Sequence, residues 1–229
     1  MSNLISFFGD HPGLLGSKVL SHLAICAIAI AIAIVVGLPL GVYLGHKHRG
    51  SFLAINVSNG FRALPSLAII AIGIAFLGLT RADIEIALVV LAIPPILTNA
   101  YTAVDQVDRD AVDAARGMGM TERQMLWGVE LPLSWPLIFA GIRTGSVYVI
   151  ATAPLAGLAG GGGLGDIIVN QPSYHLAGVI AATIVVVALA FAVDAVLALV
   201  QRAVTPRGIT LPKEIQTIVP ATDRVEVAV

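Results

Sequence analysis

Three ionisable side chains interrupt otherwise apolar stretches of the sequence, and they are the first candidates for chemistry. Arg62 lies within residues 51–80, Arg143 lies shortly after Pro136, and Asp194 lies within residues 176–200. Ionisable groups at membrane depth are costly, so they are candidates for function by default. They can line a translocation path or form an ion pair inside a helix bundle, and we favour the ion pair.

The depth of two of these charges suggests a pairing. If one helix begins near Pro136 and another ends near Arg202, a rise of 1.5 Å per residue places Arg143 and Asp194 roughly 10 to 12 Å from the same boundary. A partner in the bundle lowers the cost of a charge at that depth. We therefore expect Arg143 and Asp194 to pair directly, or to share a polar cluster with Arg62.

The other residue types that carry chemistry form no recognisable catalytic pattern. The glycines 160–163 are followed by no lysine, so the phosphate-binding pattern G-x-x-x-x-G-K-[S/T] is missing. The five histidines are scattered, apart from His46 and His48, which flank Lys47 and are typical of interfacial charge. There is no Ser-His-Asp arrangement in a recognisable context. We expect no enzyme, no metal site and no cofactor in this chain.

The composition indicates which kind of scaffold positions these groups. The chain is 57% hydrophobic and 12% charged, whereas a soluble domain carries about 25% charged residues. That is too little charge to cover a water-soluble surface. The net charge of −1 gives no argument for nucleic acid. The single cysteine, Cys26, lies in an apolar run and is expected to be an inert buried thiol.

Five apolar stretches are long enough to cross a bilayer, which takes about 20 residues. They cover residues 18–47, 51–80 and 86–104, a stretch that begins near Pro136, and residues 176–200. The sequence therefore predicts an all-α membrane protein with about five transmembrane helices. Residues 1–205 form the membrane domain, and residues 206–229 form a tail that is expected to be soluble and partly disordered.

The distribution of Lys and Arg sets the predicted orientation. Positively charged residues are enriched in cytoplasmic loops. One side receives most of them, namely Lys47, Arg49, Arg109, Arg116, Arg123, Arg202, Arg207 and Lys213. The N-terminus is thus expected outside, with the loop 105–130 and the C-terminal tail in the cytoplasm.

The sequence of that loop predicts two short helices joined at a glycine corner. Its first half places apolar residues on one helical face, and Gly117 and Gly119 can end that helix in a left-handed turn. Thr121 and Gln124 form a capping-box pattern at the start of the second helix. The apolar residues of the first face are Val107, Ala111, Ala114, Ala115 and Met118. They form either a docking surface for a partner or a loop that packs only on its own helices.

One pattern in this loop resembles a known family. Permeases of binding-protein-dependent ABC importers carry E-A-A-x3-G-x9-I-x-L-P in a cytoplasmic loop. This sequence matches the pattern across residues 113–132, with Asp for Glu and Val for Ile. The matching residues are Asp113, Ala114, Ala115, Gly119, Val129, Leu131 and Pro132. The resemblance implies a coupling helix that inserts into a groove on a separate ATPase subunit.

Four further segments resemble the osmoprotectant branch, which imports glycine betaine, carnitine or choline. They are Phe61–Ala68, Pro94–Asn99, Gly117–Thr121 and Gly162–Gly165. Methionine-type permeases have a similar size and loop layout and are the nearest alternative. A small membrane channel or enzyme subunit is the alternative from another class. The resemblance also suggests that Asn99 lines the pathway.

The resemblance implies a mechanism and a set of partners. ATP is bound and hydrolysed by two partner ATPase subunits, and a loaded extracytoplasmic binding protein docks on the outside. One coupling loop per chain then requires a second permease copy or a sister permease. The expected location is the bacterial plasma (inner) membrane, as a multi-pass protein. The glycine-rich residues 157–165 are either an outward gate or docking turn, or a flexible connection.

Overall fold

The computed structural model describes residues 2–50 and 81–205, with isolated positions between 52 and 78. Within these residues the secondary structure is entirely helical. The helices are α1 (Ser2–Asp10), α2 (Pro12–His46), α3 (Arg81–Asp105), α4 (Arg109–Gly117), α5 (Glu122–Met125), α6 (Leu131–Thr152), α7 (Gly165–Val169) and α8 (Gln171–Val204). A π-helical turn, Leu126–Glu130, joins α5 to α6, and a 3₁₀-helix, Ala153–Ala159, follows α6.

The described residues confirm an all-α multi-pass membrane protein. Four helical stretches are long and apolar enough to cross a membrane: Pro12–His46, Ile84–Asp105, Glu122–Leu155 and Gln171–Val204. Apart from isolated positions, the predicted span over residues 51–80 lies outside the described residues, and so does Arg62. The tail 206–229 lies outside them as well. The predicted total of five spans and the predicted orientation stay predictions.

Glycines bring α2 and α3 into close contact. Gly37, Gly41 and Gly45 recur every four residues and therefore lie along one face of α2. A Cβ atom at Gly41 would stand 2.6 Å from the carbonyl oxygen of Leu97, and one at Gly45 would stand 2.7 Å from that of Tyr101. Small residues at such spacing let the backbones of membrane helices approach closely. The two helices pack backbone against backbone along this stripe.

A neighbouring face of α3 is packed in the same way against α6. A Cβ atom at Gly141 would lie 2.9 Å from the carbonyl oxygen of Pro95, and one at Gly145 would lie 3.3 Å from that of Ala92. Helix α3 is therefore held between two glycine stripes. Around it lies the main apolar core, which includes Ala29, Ala33, Leu88, Ala92, Ile96, Ile138 and Val149.

The start of the fourth span differs from the prediction. A helix was expected to begin near Pro136, after a loop ending at Glu130. Instead the chain stays helical from Glu122 through the π-helical turn and into α6. Pro132 lies in the first turn of α6 and Pro136 inside the helix. Membrane helices tolerate internal proline because neighbouring groups satisfy the freed carbonyls, so proline does not mark a boundary here.

The glycine-rich segment forms the end of the bundle away from α4 and α5. Gly160, Gly162 and Gly163 have φ between +69° and +85°, a conformation that glycine adopts without steric cost. Leu164 and Ile167 are fully buried, and the Nζ atom of Lys18 in α2 lies 2.6 Å from Oδ2 of Asp166. The end of the segment at Leu164 is thus packed, and Asp166, which follows the segment, is tied to α2.

Candidate functional site

Helix α4 is closed at both ends by local hydrogen bonds. At its start, the side chain of Asp108 accepts a hydrogen bond of 2.9 Å from the backbone N–H of Asp110. At its end, Gly119 has φ +81°, and its N–H donates to the carbonyl of Arg116 while that of Met120 donates to Ala115. These two bonds form a Schellman motif with glycine at the left-handed position. The predicted glycine corner is confirmed at Gly119.

The capping box that begins α5 is also confirmed. The side chain of Thr121 accepts from the backbone N–H of Gln124 at 3.4 Å, and the side chain of Gln124 accepts from the N–H of Thr121 at 2.8 Å. The π-helical turn then follows without a break, and the N–H of Leu131 closes it onto the carbonyl of Leu126. Residues 109–130, called the coupling segment after the role that the resemblance implies, are therefore an extension of the α6 span with a sharp corner.

The two helices of the coupling segment have few buried side chains. Ala115 of α4 and Met125 of α5 are each 1% exposed. The other apolar groups do not share this burial, because Ala114 is exposed and Met118 is 76% exposed. Trp127 is 64% exposed on the π-helical turn. The predicted apolar face of α4 is thus only partly used for internal packing, and an apolar surface is left uncovered.

The motif residues fall into two groups along this segment. Asp113 is exposed and forms an ion pair of 3.2 Å with Arg116, one turn further along α4. Ala114 and Ala115 follow it, and Gly119 makes the corner. Leu131 is buried at the start of α6, with the half-buried Val129 and Pro132 on either side of it. Within the first group Asp113, Ala114 and Gly119 are exposed and Ala115 is buried, whereas the second group anchors the segment to the bundle.

The predicted pairing of Arg143 and Asp194 is confirmed. The guanidinium Nη2 atom lies 2.7 Å from Oδ2 of Asp194, and the Nε atom contacts Oδ1 of the same carboxylate. This geometry is the bidentate arrangement in which arginine binds a carboxylate most specifically. The pair joins α6 to α8, and its side chains are 39% and 30% exposed. Arg62, the third candidate charge, lies outside the described residues.

The structure places Asn99 at a helix contact. Its Nδ2 atom donates a hydrogen bond of 2.7 Å to the carbonyl of Pro95 in its own helix. Its Cβ atom lies where Gly141 of α6 approaches α3 most closely. The half-buried side chain therefore packs between the two helices. A role for Asn99 in lining the pathway stays a prediction.

The two histidines that the sequence assigned to interfacial charge have carboxylate partners. His46, the last residue of α2, lies 2.6 Å from Glu130, and His48 lies 2.8 Å from Asp105. The sequence carried no signal for these pairs, since their members are far apart along the chain. Among the described residues, no group of three or more His, Cys, Asp or Glu side chains is placed to hold a metal ion.

Comparison with known families decides what this arrangement belongs to. Residues 33–206 match the model of the binding-protein-dependent transport system inner membrane component. This match covers most of the chain, including every helix from α3 onward. The chain belongs to this family. It is therefore a transport component of the membrane and not itself a catalytic subunit.

Relatives of this permease have nearly the same length. The glycine betaine/carnitine/choline transport system permease protein OpuCB of Bacillus subtilis (strain 168) is 39% identical over 94% of this chain and 100% of its own length. The osmoprotectant import permease protein OsmW of Salmonella typhimurium is 32% identical over 90% of this chain and 98% of its own. These relatives support the osmoprotectant branch over the methionine-type alternative.

A solved structure confirms the fold of the permease. The chain superimposes on an inward-facing conformation of the MetNI methionine ABC transporter with a TM-score of 0.72, over 86% of this chain and 99% of the other. The two sequences are 22% identical. This similarity establishes the fold and carries no information about substrate.

Proposed function

We propose that this permease is the transmembrane subunit of an ATP-driven importer of quaternary-ammonium osmoprotectants, of the class of glycine betaine, carnitine and choline. The observation that carries the proposal is the full-length similarity to a permease named for those three compounds, at 39% identity. The next relatives, one for choline in Bacillus subtilis and one for carnitine in Listeria monocytogenes, are 38% and 37% identical.

The coupling segment is the site at which this function is coupled to ATP. Two exposed apolar side chains, Met118 beside the glycine corner and Trp127 on the π-helical turn, are suited to insertion into a groove on a partner. Asp113 and Arg116 add an exposed polar rim beside them. We assign this surface to an ATPase subunit that hydrolyses ATP in trans, so the segment lies in the cytoplasm and the N-terminus outside.

The second half of the pathway is supplied by another permease chain. Two ATPase subunits need two coupling segments, and this chain has one. In Bacillus subtilis two different proteins, OpuCB and OpuCD, carry the name of the same transport system as permeases. This chain is 39% identical to the first and 29% identical to the second, which supports a sister permease as its partner.

Transport follows from movement of the bundle around the coupling segment. A loaded binding protein docks on the outside, and ATP draws the two coupling segments together on the inside. Because α5, the π-helical turn and α6 are continuous, displacement of the segment rotates the α6 span directly. The pathway then opens first outward and then inward. Arg143 and Asp194 hold α6 to α8, a structural role, and Asn99 and Arg62 are assigned to the pathway.

Uptake measurements in the native host test the substrate class. We compare a strain lacking this gene with the same strain carrying the gene on a plasmid, using radiolabelled glycine betaine, carnitine, choline and methionine. Restoring the gene is expected to restore uptake of at least one quaternary-ammonium compound, and depletion of cellular ATP is expected to abolish that gain. Restored methionine uptake alone would support the methionine-type alternative. A gain that survives ATP depletion would instead indicate a channel.

A further inference from the structure

A buried histidine connects α2 to both ends of the helical stretch that leads into α6. His46 is the last residue of α2, and its Nδ1 atom lies 2.6 Å from Oε2 of Glu130. Its Nε2 atom lies 3.4 Å from Oε2 of Glu122. The side chains of His46 and Glu130 are 8% and 5% exposed, whereas that of Glu122 is 60% exposed. One imidazole thus faces two carboxylates.

The positions of the two carboxylates give this contact its significance. Glu122 is the first residue of α5, and Glu130 is the last residue of the π-helical turn. The imidazole therefore bridges the beginning and the end of the stretch that carries the exposed Trp127. His46 itself is the last residue of α2, a helix of 35 residues. No described residue besides His46 contacts both ends of this stretch through an ion pair.

The chemistry of the contact favours a firm connection. The Nδ1 contact with Glu130 is a short hydrogen bond of 2.6 Å, and the Nε2 contact with Glu122 is a longer approach of 3.4 Å. Glu130 is buried, and a buried carboxylate without a partner is strongly destabilising. The helix between the two carboxylates includes a π-helical turn, a local distortion that is frequent at functional sites. The contact is thus placed at the joint between the coupling segment and the bundle.

We propose that His46 is a positioning residue for coupling: it transmits displacement of residues 122–130 to α2, so that the first long span moves together with the coupling segment. This inference rests on the proposed function, because it assumes that the segment moves with a partner ATPase. The new element is a direct route to α2: the helix receives the movement through His46, in addition to its glycine contact with α3.

The experiment uses the complete importer, copurified through a tag on this chain and reconstituted with its binding protein in liposomes. Import of radiolabelled glycine betaine and release of phosphate are measured together, which gives the import per ATP hydrolysed. For His46→Ala we expect import per ATP to fall about fivefold or more, the lower end of typical coupling between sites, while hydrolysis continues. A residue with a merely structural role would change the amount of complex and leave this ratio unaltered.

His48→Ala is the matched control. His48 lies two residues further on and also contacts a carboxylate, Asp105 at 2.8 Å, but its side chain is 51% exposed and its partner is in α3. Import per ATP is expected to match wild type in this variant. His46→Asn keeps a donor near the Nδ1 position and loses the contact with Glu122, so an intermediate ratio is expected.

The outcomes separate this inference from the proposed function. If the wild-type complex shows no ATP-driven import of glycine betaine, carnitine or choline, the proposed function fails whatever the variants do. If wild type imports and both His46→Ala and His46→Asn import as much per ATP as His48→Ala, the positioning role is wrong. Should His46→Ala fail to assemble, the ratio measured for His46→Asn decides in the same way.

Discussion

The glycine contact between α2 and α3 gives a prediction whose size follows from the structure. In Gly41→Ala the new Cβ atom would stand 2.6 Å from the carbonyl oxygen of Leu97 and 2.8 Å from Cβ of Ala100. Ordinary contact begins at 3.4 Å, so the helices must separate by about 0.8 Å at this point (3.4 − 2.6). The nearest atom belongs to the backbone, which cannot turn aside as a side chain would.

The expected cost is that of an overpacked core, about 1–3 kcal/mol. For a chain of this size 1 kcal/mol corresponds to roughly 2–4 °C in melting temperature, so Gly41→Ala is expected to melt about 2–12 °C below wild type. Gly45→Ala should behave alike, since its Cβ would lie 2.7 Å from the carbonyl oxygen of Tyr101. The measurement is thermal unfolding of the detergent-solubilised protein, followed by size-exclusion chromatography.

Gly16→Ala in the same helix is the control. Nothing lies within 4 Å of a Cβ atom at Gly16, and alanine is favoured over glycine inside a helix by roughly 0.5–1 kcal/mol. This variant is expected to melt at or slightly above the wild-type temperature. If Gly41→Ala and Gly16→Ala melt together, the close approach of α2 to α3 is not what holds these helices, and the reasoning is refuted.

Three further predictions concern orientation, coupling and the ion pair. Glu122→Cys, in a Cys26→Ala background, is expected to resist an impermeant thiol reagent in intact cells, and labelling from outside would overturn the orientation. Gly119→Trp and Asp113→Lys are expected to leave the permease in the membrane while a copurifying ATPase is lost; at Gly119 the reason is that a side chain at φ +81° is strained. Gly117→Ala, which has open space around it, serves as control. Normal ATPase recovery with normal uptake in both variants would remove the assignment. Arg143→Ala and Asp194→Ala should each lower membrane abundance, and the double variant should recover part of the loss, whereas simply additive losses would mean that the pair contributes nothing.

Local patterns were the part of the coupling segment that sequence reasoning could predict. The capping box of Thr121 and Gln124 and the left-handed glycine at 119 involve residues at most a few positions apart. Such features depend on short-range hydrogen bonds, which the chain makes wherever the segment packs. The pairing of Arg143 with Asp194 was predictable for another reason. The cost of a charge within the membrane makes a partner at similar depth the expected solution.

Contacts between distant segments could be predicted less well. His46 and Glu130 are 84 residues apart, and nothing in either local sequence indicates the other. The glycine stripe was visible in the sequence as a four-residue spacing of Gly37, Gly41 and Gly45, a known signal for close helix contact. The helix of the fourth span begins earlier than the predicted start near Pro136, because membrane helices accommodate internal proline.

The two kinds of contact in the bundle suggest which helices move together during transport. The spans α2, α3 and α6 meet through glycines at backbone distance, and close-packed interfaces of this kind transmit displacement instead of absorbing it. Helix α8 is joined to the core around α6 by side chains instead, namely the apolar Leu189, Ala190 and Val193, the Arg143–Asp194 pair, and a hydrogen bond of 2.7 Å from Gln201 to the carbonyl of Pro136. Polar contacts can exchange partners without leaving a void. We therefore expect α2, α3 and α6 to move as one body with the coupling segment, and changes in packing during transport to concentrate along α8.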